Sequence, residues 1–85
     1  MVDRPHDTVL RFPYSDKRRA SLVADAVRVE AASVAAVDDR SRTGVEQDDE
    51  TVVVRIVAAD LVALRAACAT WTRLVGVAER LADSM

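Results

Sequence analysis

Lysine is almost missing from this chain of 85 residues: Lys17 stands alone among twelve basic residues, and the other eleven are arginine. Ten of the fourteen acids are aspartate, and the apolar set is rich in valine and alanine, a composition that reads as adaptation to salt. With a formal net charge of -2, an autonomous nucleic-acid binder of the strongly basic kind is excluded, and any RNA contact would need local basic patches. Cys68 is the single cysteine, so no internal disulfide can form, and its place among apolar neighbours reads as packing.

His6 is the single histidine, which leaves neither a metal site nor a Cys-His pair to assemble within one chain. Glycine occurs only at positions 44 and 76, too far apart for a phosphate-cradling loop. The acidic pairs Asp38-Asp39 and Asp48-Asp49 flank expected turns. Paired catalytic carboxylates would need a sheltered cleft to separate their pKa values, so these read as solvated acids. No catalytic residue, cofactor or metal is expected. Arg65 and Arg73 interrupt the best candidate for an apolar run of about 18 residues, and no signal peptide opens the chain. A cytoplasmic protein without a membrane partner is expected.

What is present is a small α+β pattern in the order βαββα, read as one domain over residues 1–85. In Thr8 to Tyr14, Leu10, Phe12 and Tyr14 share one face and Arg11 lies opposite, the alternation of a half-buried strand; Pro13 suggests an edge. Ser15 or Asp16 can cap a helix that places Leu22, Val23, Ala26 and Val27 on one face and fades near Glu30. Its first turn carries Lys17, Arg18 and Arg19, where the helix dipole disfavours cations. A polar strand is expected over Asp39 to Val45 and a turn over Gln47 to Glu50. Thr51 to Ala58 is the most apolar strand and so the centre of the sheet. A right-handed crossover then gives a three-stranded antiparallel sheet of order 1-3-2 with two helices on one face. Val53 and Val57, with Arg55 between them, fall on the other face as candidates for a second contact.

From Asp60 to Asp83 nothing breaks the helical pattern, which gives roughly 36 Å of helix at 1.5 Å per residue. At about 100° per residue, Leu61, Leu64, Ala67, Cys68, Trp71, Leu74, Val75, Ala78, Leu81 and Ala82 form a core stripe. Ala63, Ala66, Thr70 and Val77 widen it to roughly 200°, about double the usual minimum. A chain this short buries only about 60% of its unfolded surface. The surplus apolar arc therefore points to other chains.

These residues support a recognition. The chain resembles the small Pcc subunit of the KEOPS complex, the CTAG/Pcc family, and its composition fits an archaeal member. The resemblance rests on Val9-Leu10-Arg11-Phe12-Pro13-Tyr14, on Val27-Arg28-Val29-Glu30, on Arg40-Ser41-Arg42-Thr43, and above all on Ala59-Asp60-Leu61-Val62-Ala63-Leu64-Arg65-Ala66 with Trp71 beyond it. Ala69 departs from the polar residue, often Asn, of the family pattern. The resemblance implies a non-catalytic scaffold in the machine that installs threonylcarbamoyl adenosine next to the tRNA anticodon. It implies a homodimer, helices that bundle with the Kae ATPase subunit, and a share in holding tRNA.

On this reading Leu61, Leu64, Cys68 and Trp71 face inward, while Ala63, Ala66, Thr70, Leu74 and Val77 meet other chains and Arg65 makes a charged contact. For most of these residues an all-core assignment remains open. Lys17, Arg18, Arg19, Arg40 and Arg42 are the candidate tRNA contacts. The rival is a free-standing RNA-binding module of K-homology-like architecture, which would need the GXXG clamp that is missing, or the strand aromatics of an RRM, whereas Leu10, Phe12 and Tyr14 face the core. A homo-oligomeric domain binding a small molecule between chains is a further alternative.

Overall fold

The computed structural model describes residues 6–35 and 40–84. Its elements are β1 (His6–Pro13), α1 (Lys17–Ala35), β2 (Ser41–Asp48), β3 (Thr51–Ala58) and α2 (Leu61–Asp83). The sheet order is β1-β3-β2, antiparallel throughout. This is the expected α+β arrangement, with the apolar third strand in the centre.

Alternation decides which side of the sheet is covered. On β3, Val52, Val54, Ile56 and Ala58 are buried and belong to the side that carries the helices. Across the ladder Leu10 pairs with Val54 and Phe12 with Val52, so both share that side, and with Tyr14 they pack against the core. From α1 come Ala20, Val23, Ala24 and Val27; from α2 come Ala67, Trp71, Val75 and Ala78. Many of these are alanines, which lets both helices lie close to the strands, and Trp71 fills the largest share of the space between them.

Several boundaries differ from the sequence reading, each for a local reason. α1 runs to Ala35 and does not fade at Glu30, because Ala31 and its neighbours still favour helix and Ala31 still packs against the core. β2 extends to Asp48, with Gln47 opposite Val52. The expected four-residue turn is therefore a two-residue hairpin at Asp49 and Glu50, with Asp49 at φ 57°. Aspartate tolerates that left-handed conformation better than most residues. The expected start of β2 at Asp39 and the Asp38-Asp39 pair lie outside the described residues.

Both helices begin on aspartate caps. Asp16 Oδ1 accepts from the Arg19 backbone N–H at 2.8 Å, and Asp60 Oδ1 from that of Ala63 at 2.8 Å. The cationic first turn of α1 is offset by acids from elsewhere in the fold: Lys17 pairs with Asp49 at 3.7 Å, and Arg19 pairs with Asp83 at the far end of α2. The dipole conflict is thus met by tertiary contacts.

α2 also corrects the membrane reading. By length and composition it is apolar enough to cross a membrane even with Arg65 and Arg73, since alanine and valine raise its average although no long run is unbroken. In this fold the same helix sends Trp71 and Val75 into the core against the sheet.

Candidate functional site

The two helices leave a groove between them. It has a volume of about 330 Å³ and is lined by Ala26, Val29 and Glu30 of α1 and by Leu74, Val77, Ala78 and Leu81 of α2. Ala78 is buried at its floor, whereas Val29 is 67% exposed, Leu81 56% and Val77 42%. Water therefore touches three large aliphatic side chains in one cleft. At roughly 25 cal/mol per Å² of apolar surface, covering them gives a second chain a real driving force.

Helix geometry explains the groove. On α1 the core row is Val23 and Val27, flanked by Ala20 and Ala24. A second row, Leu22, Ala26 and Val29, recurs at spacings of four and three and so lies along one neighbouring face. Sequence reasoning missed this row as a surface because it grouped Leu22 and Ala26 on a single face with Val23 and Val27 and left Val29 out of that face. The signal was Val29 itself, an apolar residue off the core row and one turn beyond Ala26.

The sequence-derived interface residues divide. Ala63, Thr70 and Leu74 are half-buried, and Ala66, Val77 and Arg65 are exposed. Leu74 and Val77 line the groove, and Ala66 and Thr70 continue their side of α2 toward its start at helical spacing. Arg65 does not join them: five residues from Thr70, it sits roughly 140° round the helix. Leu61, expected inward, is 55% exposed, and Val62 beside it is 75% exposed, so the first turn of α2 contributes little to the core. Leu81, assigned to the core stripe, is a groove wall. Cys68 and Leu64 are half-buried against the core and Trp71 is buried, as expected.

The candidate RNA-contacting cations form no single patch. Lys17 and Arg19 are engaged with Asp49 and Asp83, and Arg18 is exposed beside them. Arg40 pairs with Asp60 at the opposite end of β2, and its carbonyl accepts from the Ala59 N–H at 2.9 Å. Arg42 pairs across the ladder with Val57, on the side of the sheet without helices. Seven residues of strand, roughly 24 Å, separate Arg42 from the Asp49 that holds Lys17.

That open side was the other expected contact. Val57 is partly exposed, but Val53 is only 2% exposed. Its ladder neighbours are Arg11 and Glu46, whose aliphatic stems can roof it. Arg55 is held by Glu46 at 3.2 Å. The described strand residues of this side include no aromatic on which a base could stack. Among the described residues no group of acids, histidine and cysteine could hold a metal ion.

No curated protein matches the chain. The family model described as transcription factor Pcc1, a KEOPS subunit family, matches residues 7–83, from the second residue of β1 to the last of α2. The chain belongs to the Pcc1 family.

Proposed function

We propose that this protein is a non-catalytic scaffold of the KEOPS complex, which makes threonylcarbamoyl adenosine in tRNA, and that its two helices are the docking face for the Kae ATPase subunit. The observation that carries the proposal is the exposed apolar groove walled by Val29, Val77 and Leu81. Helix-in-groove packing uses such a cleft, with apolar anchors at i, i+3, i+4 and i+7. Leu74, Val77, Ala78 and Leu81 have that spacing. Homodimerisation lets one scaffold bridge two copies of the ATPase. Lys17, Arg18, Arg19, Arg40 and Arg42 would lend the assembled complex a salt-sensitive hold on tRNA, and the setting is the cytoplasm of a salt-adapted archaeon.

The test is to replace Ala66 or Thr70 by glutamate and, separately, Val77 by aspartate. Sedimentation reads the oligomer formed by the Ala66 and Thr70 variants, and a pull-down with the Kae subunit reads the complex formed by all three; the Val77 variant is expected to lose the complex and keep any self-dimer. Loss of assembly with an unchanged circular dichroism spectrum is the expected result; full assembly by all three variants refutes the assignment of this face. tRNA binding is compared for the chain alone and with its partner, and tight binding by the chain alone would favour the free-standing RNA module.

A further inference from the structure

The groove is apolar along its floor, but its two rims differ in charge. On α2, Arg73 and Arg80 lie four residues before and three after Val77, which puts both guanidinium groups on the ridge of that exposed valine. They are two turns apart, roughly 10 Å along the axis. Neither makes an ion pair with another described residue. On α1 the groove is lined by Glu30, which is exposed and likewise without an ionic partner among the described residues. Of the other cations on the helices, Lys17 is engaged by Asp49, Arg19 by Asp83 and Arg28 by Asp25, whereas Arg18, in the first turn of α1, and Arg65, in the first half of α2, have no ion pair among the described residues and do not line the groove. The cleft is thus bordered by unpaired charges of opposite sign, two cations on the α2 wall and an anion on the α1 wall.

An amphipathic helix lying in the cleft with its apolar ridge down has two flanks, and turning it end for end exchanges them. Unlike rims therefore select the direction of the helix as well as its composition. We infer that the groove accepts a helix of a different protein in one direction only, its acidic flank along Arg73 and Arg80 and a basic residue against Glu30. This rests on the docking reading above and adds to it the chemistry and polarity of the occupant. Rim charges fix register and orientation more than affinity, as flanking charges do beside a coiled-coil seam.

The experiment uses the full chain and two synthetic helices with the same leucine ridge. One carries glutamate along the left flank and lysine along the right; the other carries the reverse. Each has a nitroxide at its N-terminus. Methyl NMR follows Val29, Val77, Leu74 and Leu81. Both helices are expected to shift the groove methyls, with the nitroxide broadening Leu81 in one complex and Leu74 in the other. The preference should be roughly tenfold, the scale of three rim ion pairs acting together. The R73E/R80E variant should reverse the preferred direction of each helix, with a smaller preference because Glu30 then opposes the change.

If both helices shift the groove methyls but each binds in both directions, or both bind in the same direction, the rims do not select and the inference falls while the docking reading stands. If neither helix shifts Val29, Val77 or Leu81, the docking reading falls with it. Sedimentation at the same concentration is the last arm. A self-dimer that Val77→Asp dissociates would show that a second copy occupies the groove, which overturns the assignment to a different protein.

Discussion

The Tyr14 hydroxyl donates a 2.7 Å hydrogen bond to Glu79 Oε2, joining residues 65 apart in the sequence. The Arg19 guanidinium lies 5.8 Å from the Tyr14 ring centroid and pairs with Asp83, one turn beyond Glu79. The end of β1, the start of α1 and the end of α2 are thereby pinned at one corner. Burial, then the hydrogen bond and charge of Glu79, push the Tyr14 phenol well above its ordinary range, with Arg19 pulling the other way. These contacts tie the C-terminal half of α2, which carries one wall of the groove, to β1 and α1.

Tyr14→Phe removes the hydroxyl and keeps the ring. A hydrogen bond to a charged acceptor, partly exposed as here, is worth about 1–2 kcal/mol, and urea unfolding should show a loss of that size near neutral pH. The pH dependence follows from the sign of the shift. The folded phenol titrates above the unfolded one, near 10, so its contribution is whole below pH ~10 and is lost as the pH rises beyond it. The parent chain should therefore lose stability more steeply than Tyr14→Phe above pH ~10; parallel curves would deny the hydrogen bond its role.

Asp83 gives the complementary test on the acid side. Its hydrogen bond with Arg19 holds the carboxyl below the usual carboxylate range. Stability from this group is present above the unfolded carboxyl pKa and declines as the pH falls through the folded one. Asp83→Asn should flatten the acid limb of the stability profile, and an unchanged limb would place the pair among the exposed ion pairs that contribute nothing measurable.

Gly76 sits inside α2, and a Cβ built there meets nothing within 4 Å. Glycine in a helix interior costs roughly 0.5–1 kcal/mol relative to alanine. Gly76→Ala should raise stability by about that amount in thermal or urea melts. A loss would mean that the position is crowded in the free chain; weakened assembly with a stability gain would show that a partner backbone approaches it.

The sheet and its order were legible because the signals were local and strong. Thr51 to Ala58 has the apolar density of a central strand, and Leu10, Phe12 and Tyr14 alternate cleanly. Asp60 before Leu61 is an unambiguous cap. The groove was legible only in half. A helical wheel shows that α2 has more apolar surface than a core needs, but it cannot say where the neighbouring helix lies, so Leu81 was placed in the core and Leu61 with it. The wall from α1 was lost for a different reason: Ala26 falls on the same face as Val23 and Val27 in a helical wheel, and only the position of α2 shows that Ala26 and Val29 border a cleft. Pairings such as Tyr14 with Glu79 are set by tertiary contact alone and leave no mark in local sequence.

The two helical rows of α2 can be separated by mutation. Trp71 is buried among both helices and the sheet, and Trp71→Ala should cost about 3–5 kcal/mol, enough to unfold much of a chain this small, where native stability is itself only about 5–15 kcal/mol. Leu81→Asp changes a side chain that is already 56% exposed, and its unfolding free energy should stay within about 1 kcal/mol of the parent. If α2 serves only its own core, both substitutions should lower stability in proportion to the apolar surface lost, and capture of a partner should follow stability. If the outer row exists to meet another chain, Leu81→Asp should abolish capture at nearly full stability. Measuring melting and capture on the same preparations decides between these, and a stable Leu81→Asp variant that still binds its partner with parental affinity would remove the groove from the interface.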